Sequence, residues 1–504
     1  MITIIFGVSM IVLDSTVVNV AFPTLRREFD VGIDEAQWII SIYVLALGIA
    51  TPLAGILADR FNLKRVYILG LGIFLLGSLM SGLAPTFGLL VGARALQGIG
   101  GGIALPLSTV MLFTTFEDHE QGRAFGIYGV VMVAAPAIGP ILGGLLADAN
   151  LWRWIFFINI PIGLIGIGLA LWLLRPTEPK RSINFNPISF ITIIIGYGSV
   201  LYAASIVNHY GWLSVPVLSF LAVAVVALSV FAVYDLKYAR EPLLELSLYK
   251  NPTFLKANLV GYVAVIALFG AEFLMPVYLQ SLRGRTAVQT GLILLPIAVT
   301  TGLINLIVGG IYDKIGPRVL VVAGAGILLI NTWQFTSLSS STPISQIILL
   351  LVLRGLAISL IMQPTYTTAI GVLPKENVPR GSSLVNSTRY IVQALGVAVL
   401  ATILGSTLSP EVKQLQQNQQ TVESNRVGLC EQQETSPQFS RACEESLSGF
   451  ARAYKFTFYA ALVALVLGAL LPGFPFEWAG RGAIKAWVTA SRSYLAQRFR
   501  RHRA

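Results

Sequence analysis

Fourteen nearly uncharged runs of about twenty residues recur along this chain, and each, as a helix, is long enough to cross the hydrocarbon of a bilayer. They fall at 3–24, 36–57, 66–84, 87–113, 124–147, 154–174, 187–208, 214–235, 255–280, 289–311, 319–337, 346–372, 382–406 and 454–474. With 55% hydrophobic and only 12% charged residues and a mean hydropathy of +0.74, the chain lies outside the range of soluble globular proteins. The expected fold class is an all-α integral membrane protein with fourteen transmembrane helices.

The distribution of Lys and Arg tests that count independently, because one missed or extra crossing reverses the side of every later loop. With both termini cytoplasmic, basic residues favour the inside by roughly two to one. The net charge of +11 therefore reads as topology and contact with anionic lipid, and nucleic acid is excluded as a partner. A cleaved signal is not expected, since such segments carry a basic leader and no acid in mid-run. The end of the chain, 475–504, spaces Ile484, Trp487, Val488, Leu495 and Phe499 helically among arginines, which predicts an amphipathic helix on the inner leaflet. A disordered basic tail is the alternative. The Gln-rich loop 407–453 falls outside the cytoplasm and holds both cysteines, Cys430 and Cys443, so a disulfide is expected there, with two free thiols as the alternative.

Within the first run stands one carboxylate, Asp14. An acid at the middle of a spanning helix costs about 2.5 to 3.5 kcal/mol and is tolerated where it meets a cavity, a partner or a proton path. Glu272 is a second acid inside a run, and Arg94, Arg354 and Arg389 are the in-span bases. An internal repeat organises these charges. The pattern G-x3-D-[RK] occurs at Gly55, Asp59 and Arg60 and again at Gly309, Asp313 and Lys314; Arg94 and Arg354 follow, then Arg123 and Arg380. The order implies two related six-helix bundles, 1–174 and 254–474, around a two-helix insert at 175–253. Such a 6+2+6 layout suits a transporter that rocks about a site between its halves.

The motifs carry a resemblance. LDSTVVNVAFP (13–23), WIISIYVLALGIATPLAGILADRF (38–61) and WRWIFFINIPIG (152–163) resemble the major facilitator superfamily, and within it the fourteen-span drug:proton antiporters of the EmrB/QacA type. The loop GILADRFNLKR (55–65) is similar to the superfamily's signature loop, with Asn62 and Leu63 where Gly and Arg are usual. The resemblance makes Gly55, Asp59, Arg60, Lys64, Arg65 and Asp313 a cytoplasmic latch between the halves. Gly139, Pro140, Gly143 and Gly144 resemble the antiporter motif of the fifth helix; Gly permits close helix approach and Pro a bend. Arg94 resembles the fourth-helix arginine of the family. It keeps its proton at working pH and so acts as a fixed charge beside the proton-carrying acid. The implied coupling set is Asp14, Arg94 and Glu272, while Arg354 and Arg389 read as structural. Asn19, Tyr43, Asn305, Gln363 and Tyr366 are candidates to line the cavity.

The function the resemblance implies is export of hydrophobic, amphipathic or cationic small molecules from the plasma membrane in exchange for protons. The coupling ion is the proton, and no cofactor is expected. An exporter dedicated to an endogenous lipid, siderophore or metabolite shares the same fold and motifs. A non-transporting receptor or assembly partner is the reading from another class, opposed by the intact Asp14 and Arg94. Some members of that family work with a membrane-fusion adaptor, a partner this sequence does not itself require. The three His lie outside the spans and no nucleotide-binding G-x4-GK[ST] occurs, so neither an enzyme, nor a metal site, nor an ATP-driven pump is expected.

Overall fold

The computed structural model describes residues 1–115, 138–174, 186–239, 242–374, 377–407 and 437–473, with positions 128, 131, 135, 409, 429 and 430 between them. Among the described residues all regular structure is helical. Thirteen helices are long and apolar enough to cross a membrane, and the described part of the fifth run forms a shorter one. In chain order they are α1 (Ile2–Glu28), α2 (Trp38–Phe61), α3 (Leu63–Leu83), α4 (Phe87–Thr115), α5 (Ile138–Asp148), α6 (Trp154–Leu173) and α7 (Pro187–Tyr210). There follow α8 (Val215–Lys237), α9 (Pro252–Leu282), α10 (Ala287–Tyr312), α11 (Lys314–Phe335), α12 (Ile344–Gly371), α13 (Arg380–Ser406) and α14 (Pro437–Ala469). The tail 475–504 and Arg123 lie outside the described residues.

Packing follows the repeat. In the first half α4 lies against α2 and α3, and α6 against α1 and α3; in the second, α12 packs on α10 and α11, while α9 meets α12, α13 and α14. The halves touch through α2 on α13 and α1 on α9. Helices α7 and α8 pair with each other, and α7 leans on α13; the free face of α8 carries exposed Val215, Val225 and Val226, a surface suited to lipid. Helices come closest where Gly removes the side chain: a Cβ at Gly98 or Gly102 of α4 would strike the main-chain carbonyls of Tyr43 or Leu47 on α2.

The repeat extends to backbone conformation. Asn62, between α2 and α3, has φ +93°, and Gly316, at the same 254-residue separation as Gly55 from Gly309, has φ +75° and breaks the run of α10 into α11. Left-handed backbone favours Gly, and Asn is among the few side chains that tolerate it. Asn62 thus supplies what the missing Gly would, and its amide oxygen also accepts from the Lys64 N–H to start α3.

One boundary differs from the sequence reading. The last helix begins at Pro437, well before 454, because hydropathy discounts 437–453 with Arg441, Glu444, Glu445 and Arg452. That segment is nonetheless rich in helix formers, and a disulfide between Cys430 and Cys443 ties it to the preceding loop. Leu429 and Cys430 in turn donate their N–H groups to the carbonyls of Ser281 and Leu282 at the end of α9.

Candidate functional site

Asp14 lies wholly buried inside the first half, facing α3, α4 and α6. Three donors converge on its carboxylate. Arg94 Nη1 from α4 donates to Oδ2 at 2.5 Å; Gln97 Nε2, one turn further along α4, donates to Oδ1 at 2.7 Å; and Asn159 Nδ2 from α6 donates to Oδ1 at 2.8 Å. The Ser78 hydroxyl of α3 joins the network, accepting from Gln97 and Asn159 and donating to the Phe156 carbonyl. Arg94 is held on its other sides by the carbonyl of Ile39, by Gln97 Oε1 and by the ring of Tyr43, 4.1 Å from its guanidinium carbon. Five helices therefore depend on one charge pair. A buried pair of this kind contributes little net stability, but losing one member leaves an uncompensated charge that costs about 3 to 5 kcal/mol.

The second half repeats the plan with different contacts. Arg354 of α12 is fully buried; it donates to the carbonyls of Ala267 and Leu268 on α9 and to Asn331 Oδ1 on α11. Glu272, one turn beyond those carbonyls, stands in electrostatic reach of Arg354. Among the described residues the pair is not in ion-pair contact, in contrast to Asp14 and Arg94.

Between the halves, polar contacts gather at one end of the bundle. Asp148, at the end of α5, accepts from the N–H groups of Ala287 and Val288 at 3.0 and 2.9 Å, the first donors of α10. Gln280 Nε2 donates to the Val20 carbonyl at 2.8 Å, and Phe22 meets Phe273 edge-on. Pro140 and Gly144 of the glycine motif reach this seam, while Gly139 and Gly143 pack within the first half. Gly139 and Gly143 lie against Thr16 and Val17 of α1; a Cβ at Gly144 would come within 2.5 Å of the Ala287 carbonyl, and one at Gly291 would strike Pro140. Deeper in the bundle Ser387 of α13 donates to the Gly48 carbonyl of α2.

At the opposite end the described contacts stay within one half or join the insert to the second half. Lys64 Nζ donates to Leu171 and Leu174 carbonyls, both at 2.7 Å, completing the C-terminus of α6 as a cation does for a helix dipole. Arg60 and Arg65 are exposed. The helical backbone runs through Gly55, Asp59 and Asp313, but the Asp59 and Asp313 side chains lie outside the described residues. Arg380 pairs with Glu245 at 3.2 Å.

Among the expected cavity residues, Tyr43 is a correction. It is 2% exposed, its hydroxyl donates to the Ile11 carbonyl, and its ring supports Arg94; cation–π contact with a buried guanidinium outweighs exposure to a chamber. Asn19, Asn305, Gln363 and Tyr366 are half-buried. Gln363 borders a cavity of about 230 Å³ with Val308, Gly309, Tyr312, Pro364 and Thr367. Gln97, Asn159, Ser78 and Asp148 were not anticipated. The available signal was Gln97 at i+3 from Arg94 and Asn159 inside an otherwise apolar motif.

The Major Facilitator Superfamily family model matches residues 4–397, and the chain belongs to that superfamily. It is a multi-pass membrane transporter and not an enzyme. An uncharacterized MFS-type transporter of Bacillus subtilis, YhcA, is 32% identical over 84% of this chain and 80% of its own length. The lincomycin resistance protein LmrB of the same organism is 30% identical over 78% of this chain and 82% of its own. The multidrug resistance protein Stp of Mycobacterium tuberculosis is 31% identical over 80% and 75%. Among solved structures, a bacterial homolog to the human lysosomal transporter Spinster, in an inward-facing and occupied conformation, superposes with a TM-score of 0.60 at 18% identity, covering 93% of this chain and 95% of that one.

Proposed function

We propose that the protein is a drug:proton antiporter of the fourteen-span branch, exporting hydrophobic or amphipathic small molecules across the plasma membrane, with both termini cytoplasmic. The observation that carries the reading is the buried Asp14–Arg94 pair, a titratable acid enclosed by a fixed cation inside a spanning bundle. Relatives named for lincomycin and multidrug resistance support the substrate class. The topology puts the seam of Asp148, Gln280 and Gly144 on the outer side, so the conformation is closed outward.

In the proposed cycle Asp14 takes a proton when the outer seam is open, releases Arg94, and so weakens the network that ties α1 to α3, α4 and α6. The protonated state, in which Arg94 is no longer answered by an ionised acid, passes through the rocking motion, and loss of the proton to the cytoplasm restores the ion pair. Substrate and proton need not meet at one acid, provided each favours a different conformation. One proton crossing 100 mV supplies about 2.3 kcal/mol, which sustains a gradient of about fiftyfold without ATP. Glu272 is the second proposed proton site. Membrane lipids are the other expected partners, and a membrane-fusion adaptor is an accessory the family permits.

The test is accumulation of a panel of lincosamides, lipophilic cations, dyes and metabolite-like lipids and siderophores by inside-out vesicles under an imposed pH gradient. Uptake that collapses when the gradient is dissipated is expected. Uptake indifferent to the gradient refutes antiport, and uptake confined to one metabolite-like compound replaces the multidrug reading with a dedicated exporter.

A further inference from the structure

Three in-span arginines are handled in three ways. Arg94 has Asp14; Arg354 has two carbonyls, an Asn and a nearby acid; Arg389 has neither acid nor carbonyl among the described contacts. Its Nη2 donates to Thr365 Oγ1 at 3.1 Å, its guanidinium lies 5.5 Å from the centre of the Tyr366 ring, and its buried Nε has no partner. Gly261 of α9 makes room for it, since a Cβ there would come within 3.0 Å of Nη2. A charge held within a spanning helix is expensive unless something answers it.

The surroundings of Arg389 are phenolic. Tyr262 from α9, Tyr366 from α12 and Tyr390 beside it on α13 stand in electrostatic reach. Tyr128, from the fifth run of the first half, reaches Tyr366 and Tyr390. The arginine and all four tyrosines are partly exposed, and they come from both halves, Tyr128 from the first and the others from the second. Two phenols are anchored: Tyr262 shares a 2.5 Å hydrogen bond with Tyr249, and Tyr366 donates to Ser382 at 3.0 Å. A forked guanidinium recognises carboxylate, sulfonate or phosphate, and anchored aromatic rings offer flat apolar area at low entropic cost.

We propose that Arg389, walled by Tyr128, Tyr262, Tyr366 and Tyr390, is a substrate subsite for the anionic end of an amphipathic molecule whose aromatic or apolar body lies on the tyrosine rings. The subsite rests on the transport reading and narrows it: the chamber selects for a negative group as well as for lipophilicity.

The test is equilibrium binding, which needs no proton gradient and so fails or succeeds apart from antiport. The full chain in phosphatidylcholine nanodiscs is titrated with 8-anilinonaphthalene-1-sulfonate and with neutral N-phenyl-1-naphthylamine, empty discs being subtracted. Arg389→Gln is expected to weaken the sulfonate about 10- to 100-fold and the neutral probe less than twofold. Arg389→Lys should fall between, keeping charge but losing the fork. Tyr262→Leu should weaken both probes and leave their ratio unchanged. Phosphatidylglycerol that competes with the sulfonate in wild type identifies a lipid phosphate as occupant; no competition identifies a soluble substrate. Equal sulfonate affinity in wild type and Arg389→Gln, or equal loss of both probes in Arg389→Gln and Arg389→Lys, overturns the proposal.

Discussion

Replacing Asp148 by Ala should open the seam between the halves. The carboxylate accepts from Ala287 and Val288, while Thr286, the residue that caps α10 from its own chain, serves Gln289. The first half thus completes the N-terminus of a helix in the second, and it does so only while this end is closed. A charge-assisted hydrogen bond contributes about 1.5 to 3 kcal/mol when buried. These two are partly buried and water replaces them on opening, so about 1 to 3 kcal/mol for the pair is a realistic loss. That shifts the equilibrium toward the open form about 5- to 150-fold. Spin labels at the exposed positions Leu151 and Leu292 report the change by pulsed dipolar spectroscopy as growth of a longer-distance population. Asp148→Asn, which keeps one acceptor without the charge, should fall between. An unchanged distance distribution in Asp148→Ala, with the protein still monodisperse, refutes the assignment of this contact as the closing bond.

Arg94→Gln should lower the thermal midpoint more than Gln97→Leu, since the first leaves a buried carboxylate without its cation at about 3 to 5 kcal/mol, while the second leaves the ion pair in place and removes a neutral amide's hydrogen bonds to it, at about 1.5 to 3 kcal/mol for a bond to a charged group. The double change Asp14→Asn with Arg94→Gln should recover part of the loss in a double-mutant cycle, and strict additivity contradicts direct coupling. Gly102→Val should abolish folded protein, as judged by size-exclusion profile, because its side chain meets the Leu47 carbonyl of α2 and backbone cannot give way as a flexible side chain does.

Charge made most of this molecule legible. Asp14 and Arg94 stand out because an ionised group inside a twenty-residue apolar run is expensive, and the structure places them against each other. Gln97, Asn159 and Ser78 complete the same network but are neutral, and neutral polar residues in spans usually only bridge helices. Asp148 escaped notice for a different reason: at a span boundary an acid looks solvated, and only tertiary structure brings α10's free N–H groups to it. Tyr43 shows the converse. A polar aromatic within a span suggested a cavity wall, whereas its neighbour across the helix pair, Arg94, claims its ring. The start of α14 was hidden because hydropathy measures lipid contact and this helix continues beyond it. The positive φ of Asn62 was latent in the repeat, where Gly316 holds the matching place.

Coupling through Asp14 is tested most directly in proteoliposomes carrying a trapped pH indicator, by the protons moved on addition of a transported drug, with wild type and Asp14→Asn reconstituted alike. Wild type should move protons against the drug and build a gradient, while Asp14→Asn binds the drug within a few-fold of wild type, moves no protons and only equilibrates it. Proton movement and a gradient of equal size in both would contradict the account.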